Sequence, residues 1–99
     1  MNQKELIEER LDQLGMSWYA LAKETGLHHH TIYKIKQGKI QARRLDILTP
    51  IAEVLMLLPD ELAIAGNHVP QDVHNGIVEH PELLPIIRNL ITKIEARQG

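Results

Sequence analysis

Residues Ser17–Lys39, SWYALAKETGLHHHTIYKIKQGK, decide how this chain folds. Leu21 and Ala22 fall on the inner face of one short helix, and Ile32 and Ile35, three apart, fall on the inner face of a second. Thr25-Gly26-Leu27 lies between them. Gly26 supplies a left-handed conformation that ends the first helix at low steric cost, and Leu27 then turns back toward the core. Ala22 is small where the two helices must cross closely. The spacing predicts a helix-turn-helix unit.

The outward residues follow from the inward ones. Ser17 is a good N-cap for the first helix, Trp18 to Thr25. The second should run from about His29 to Gln37, with His28, His29, His30, Tyr33 and Lys34 facing out and Thr31 partly turned in. Gly38 stops it, and Lys39, Arg43 and Arg44 make a basic loop suited to phosphate contact.

Leu6, Ile7, Leu11 and Leu14 recur at helical spacing, so a helix is expected from Asn2 to Leu14, with Gly15 ending it. Leu45, Leu48, Ile51, Ala52 and Leu55 predict a further helix interrupted by Pro50. That helix either starts late, with Thr49 as cap and Pro50 at its first position, or is kinked. Pro59-Asp60-Glu61-Leu62 opens a short helix with acidic residues at its N-terminus, and Gly66 ends it. Residues 67–80, with Pro70 and the turn-forming Asn75-Gly76, read as a linker. In residues 81–99, Leu83, Leu84, Ile87, Leu90, Ile91 and Ile94 form the wide apolar stripe of a last helix, from about Glu82 to Arg97. It either folds back on its own domain or pairs with a second copy; a self-sufficient domain ahead of it favours pairing.

Composition bounds the rest. The chain has 99 residues, 43% of them apolar, no Phe and only three aromatics, so the core must be aliphatic. It has no cysteine, hence no disulfide or thiolate site. The N-terminal stretch is charged and amphipathic, unlike a signal peptide, and no apolar run approaches a membrane span. A soluble, cytoplasmic protein is expected. The net charge of −2 is divided as −2 over residues 1–22, +5 over 23–44 and −5 over 45–99. Electrostatic attraction is local, fading over about 8–10 Å at physiological salt, so a basic segment in an acidic molecule can still bind a polyanion.

Ala22, Gly26, Ile32 and Ile35 fall at the spacing of the small, turn and core positions of the phage-repressor and Cro-type (XRE-like) helix-turn-helix family. The run through Gly38-Lys39 and Ile51-Ala52-Glu53-Val54-Leu55 also resembles it. The resemblance covers roughly Leu6 to Leu62. It implies an all-α, five-helix lambda-repressor-like domain over residues 1–66, followed here by the C-terminal amphipathic helix. It also implies a double-stranded DNA partner, with the second helix of the unit in the major groove. The positions of His29, His30 and Lys34 are those that most often reach base edges. Ser17, Trp18, His28, Thr31, Tyr33, Lys36, Lys39, Arg43 and Arg44 fall to the DNA backbone or groove walls. The position of Trp18 is often a phosphate-touching glutamine; here the indole N–H either donates to phosphate or the ring covers the domain's edge. The chain departs from the family at Pro50 and at Met56, where glycine is usual.

The expected function is a dimeric transcriptional repressor. The alternative is an antitoxin-type autoregulator whose C-terminal segment binds a partner protein; a protein-interaction module without DNA binding sits poorly with the basic loop. Adjacent helical residues point about 100° apart, so His28, His29 and His30 do not converge on one metal ion. A site shared by His68, His74 and His80 would need a folded loop. No metal, cofactor or enzymatic activity is expected.

Overall fold

The computed structural model describes residues 1–98. These form seven helices: α1 (Gln3–Leu14), α2 (Trp18–Thr25), α3 (His29–Lys36), α4 (Leu45–Leu55), α5 (Pro59–Ala65), α6 (Gln71–Glu79) and α7 (Leu83–Gln98). Among the described residues there is no strand. Helices α1 to α5 close around one aliphatic core of Ile7, Leu11, Leu21, Ala22, Ile32, Ile35, Ala42, Leu48, Ile51, Ala52, Leu55, Leu62 and Ala63. α4 packs on α5, α2 on α3, and α1 on both α4 and α5. Burying a residue the size of Ile or Leu is worth about 1.5–3 kcal/mol, so this cluster supplies most of what holds the five helices together.

α1 begins one residue later than the sequence suggests, because Asn2 is its cap: the Asn2 side chain accepts the Glu5 N–H at 2.8 Å. At the far end of α4, Arg10 Nε donates to the Leu55 carbonyl at 2.8 Å, a cation placed where the helix carbonyls run out of partners.

Of the two alternatives for α4, a late start at Thr49 is not what the chain adopts. The helix begins at Leu45, with the Ile47 and Leu48 N–H groups both donating to the Arg44 carbonyl at 3.0 and 2.9 Å, and runs through Pro50. Pro50 has no N–H to offer one turn back, a loss of about 3 kcal/mol. Burial of Leu48, Ile51, Ala52 and Leu55 on one face outweighs it. Met56 then takes the left-handed conformation (φ 56°, ψ 43°) that glycine would adopt more cheaply.

Residues 67–80 are not the irregular linker expected of them. α6 runs straight through Asn75-Gly76, capped by the buried Pro70 and braced by Gln71 Nε2 donating to Asn75 Oδ1 at 2.9 Å, one turn on. Turn propensity is a local bias; the exposed four-apart pair offsets only part of it, about 0.2–0.5 kcal/mol. At Gly66 a side chain would be crowded: a Cβ would lie 3.0 Å from the His68 ring and 3.2 Å from Gln3 Nε2, so one of these neighbours would have to shift. The left-handed residue that follows α5 is Asn67 instead (φ 60°).

α7 is placed as predicted, starting one residue late with Pro85 inside its first turn. It buries no residue, and Leu83, Leu84, Leu90, Ile91 and Ile94 remain 37–54% exposed. It does not fold back over the core. No helix among the described residues is long and apolar enough to cross a membrane.

Candidate nucleic-acid interface

The turn between α2 and α3 is held by side-chain bonds as well as by glycine. Ser17 Oγ accepts the Ala20 N–H at 3.0 Å and opens α2. Thr25 Oγ1 donates to the Ala22 carbonyl at 3.1 Å and accepts the Leu27 N–H at 3.3 Å, bracing Gly26 (φ 70°) between them. Leu27 then packs against the core, as its position predicts.

α3 ends at Lys36, with Gln37 as its C-cap, and presents its polar face outward because Ile32 and Ile35 are fully buried on the other side. His29 and His30 are exposed, and Thr31 is half-buried. Lys34 is also half-buried, so its aliphatic stem lies along the domain. His28 is the N-cap, its Nδ1 accepting the His30 N–H at 3.1 Å. Tyr33 is exposed, with Lys36 Nζ 5.3 Å from its ring centroid. The His28 and His30 rings stand edge-on at 6.3 Å, while His29 lies 5.5 Å from Tyr19. The described residues contain no group of three or more His, Asp or Glu side chains placed to hold a metal ion.

The half-buried Trp18 indole packs on the core and lines shallow recesses toward both α1 and α3. Tyr19, which was not singled out from the sequence, stands exposed beside it on the α3 side. Its only signal was an aromatic residue one place along a short helix from another.

The basic loop carries Lys39 and Arg43 along an open groove with Gly38, Ile40 and Gln41. Among the described residues Lys34, Lys36, Lys39 and Arg43 form no ion pair. Arg44 does: its Nε and terminal nitrogen meet the Asp46 carboxylate at 3.0 and 2.6 Å. Exposed pairs of this kind are worth about 0–1 kcal/mol, so a phosphate can displace the carboxylate.

Behind the loop stands Gln3, 1% exposed, a residue the sequence pattern passed over. Its Oε1 accepts the Ala42 N–H at 2.7 Å, and its Nε2 donates to the carbonyls of Ala42 at 3.0 Å and Leu62 at 2.9 Å. Each bond contributes about 1 kcal/mol, and removing the amide would strand the buried N–H and carbonyl of Ala42 at about 1–3 kcal/mol each, whereas the Leu62 carbonyl keeps the Gly66 N–H at 3.1 Å. No local signal announces it, since the partners lie 39 and 59 residues away.

A capped, outward-facing α3 set against α2 across a tight turn, with a basic loop beyond it, defines a helix-turn-helix DNA-binding protein. Residues 7–65 match the family described as the Cro/C1-type HTH DNA-binding domain. The chain belongs to that family. Neither the curated proteins nor the solved structures compared with it gave a match. The family and the fold make it a DNA-binding transcriptional regulator.

Proposed function

We propose that this regulator is a dimeric repressor that reads the major groove with α3. His29, His30 and Lys34 contact base edges. Histidine offers one donor when neutral and two when protonated, which suits the guanine acceptors, and lysine offers three donors. Ser17, Trp18, His28, Thr31, Tyr33, Lys36, Lys39, Arg43 and Arg44 meet the backbone and groove walls. The observation that carries this reading is the outward face of α3, where exposed His29 and His30 share one helix with the buried Ile32 and Ile35. The face cannot turn away from solvent without unpacking the core.

Dimerisation rests on α7. Its stripe of Leu83, Leu84, Ile87, Leu90, Ile91 and Ile94 lies outside the core, and a soluble monomer rarely leaves such a patch uncovered. A second copy of α7 covers it and places two α3 helices on half-sites about 34–36 Å apart. An antitoxin-type autoregulator would use the same stripe to bind a partner protein. Selection of bound duplexes from a random pool tests the repressor reading. The expected product is an inverted repeat with half-sites one turn apart; a lone half-site would favour the antitoxin reading, and no enriched sequence would sink base reading altogether.

A further inference from the structure

We propose that Gln3 is a positioning residue for phosphate contact, holding the part of the basic loop from which Arg43 meets the DNA backbone. Resting on the reading of that loop as a phosphate contact, it assigns a DNA-binding role to a residue that faces away from DNA. Lys39 is held separately, its N–H on the Lys34 carbonyl at 2.9 Å. The loop between α3 and α4 has no regular structure of its own from Ile40 to Arg43. Among the described residues, the backbone groups of Gln41, Ala42 and Arg43 have a single protein partner, Gln3. The amide bonds both the N–H and the carbonyl of Ala42, as a neighbouring strand would, and so fixes the position and direction of the chain there. Ala42 itself is 2% exposed, whereas Lys39 and Arg43 on either side are exposed. The same amide reaches the Leu62 carbonyl in α5, beside the glycine that leaves it room. Beside the core packing of Ala42, the backbone of residues 41–43 is therefore hydrogen-bonded to the body of the domain through one side chain. Ordering a flexible basic loop on binding would cost conformational entropy; a loop already held avoids that loss.

The test is a double-mutant cycle on the full chain with a short mixed-sequence duplex, reading affinity against salt well below the melting temperature of every variant. Lys39→Ala/Arg43→Ala is expected to flatten the salt slope by about 2, one for each phosphate contact. Gln3→Met should flatten it by about 1, the share of Arg43, and add little when combined with the loop variant. Gln3→Asn, an amide one methylene short, is the milder lesion to use if Gln3→Met does not fold, and should give an intermediate slope. A purely structural Gln3 would lower the melting temperature with the slope unchanged, or lose affinity in full on top of the loop variant; either result overturns the proposal. If the loop variant itself keeps the wild-type slope, the loop does not touch phosphate, and the reading beneath the proposal fails with it.

Discussion

The Nδ1 atom of His28 accepts the backbone N–H of His30 at 3.1 Å, so the first of three consecutive histidines closes the helix from which the other two project. The accepting nitrogen carries no proton, which fixes the tautomer of a neutral His28 ring as Nε2–H. Three adjacent residues of one type therefore divide into one cap and two outward side chains. His28→Ala should destabilise the domain by about 1 kcal/mol, and His28→Asn, a stronger cap, should not. Thermal denaturation checks it: the alanine variant should melt about 4–8 °C lower. Equal melting of the alanine variant and wild type would mean the bond contributes nothing.

At the end of α4, Met56 holds a left-handed backbone that costs a non-glycine residue about 1–2 kcal/mol. Its side chain is 66% exposed, so little packing would be lost with it. Met56→Gly should therefore raise stability by about 0.5–1 kcal/mol once the extra freedom of glycine in the unfolded chain is counted. Met56→Ala should give no gain. Urea unfolding distinguishes them, and a Met56→Gly variant less stable than wild type would show that the side chain, not the backbone, decides this turn.

The assembly should depend on α7. Every residue of the core cluster lies between Ile7 and Ala63, and Pro70 is buried against the domain, so a chain ending at His80 keeps all of these. In sedimentation, the full chain is expected to run as a dimer and the chain ending at His80 as a folded monomer. Leu90→Asp should do nearly the same, because burying a carboxylate in an apolar seam costs more than one leucine contributes. A truncated chain that still dimerises would place the interface on α1 to α6.

The helix-turn-helix was legible in the sequence because its determinants are short-range. Ala22, Gly26, Ile32 and Ile35 lie within fourteen residues and each does the job its spacing predicts. The same holds for the cap at Ser17 and for Pro59 at the start of α5. What escaped was set by distant partners or by sums of small terms. Gln3 is an ordinary polar residue until the chain returns at Ala42 and Leu62. Pro50 breaks a local rule that the buried face of α4 overrules, and Asn75-Gly76 looked like a turn for want of any sign that α6 continues through it. Arg44 closes the basic segment 23–44 and its carboxylate partner Asp46 opens the acidic segment 45–99, so segment charges hide a pair that straddles the boundary.

Base reading by α3 is the central claim, and one comparison tests it most directly. Affinity for a selected operator and for a scrambled duplex of the same composition would be measured for the wild type and for His29→Ala/His30→Ala/Lys34→Ala. Each base contact is worth about 1–3 kcal/mol, so the triple substitution should lower the operator-to-scrambled ratio by a hundredfold or more. Affinity for the scrambled duplex should fall only slightly, and the helical circular-dichroism signal should hold, since His29 and His30 are exposed and Lys34 is no core residue. An unchanged ratio in a folded triple variant would contradict the account, and α3 would not be the reader.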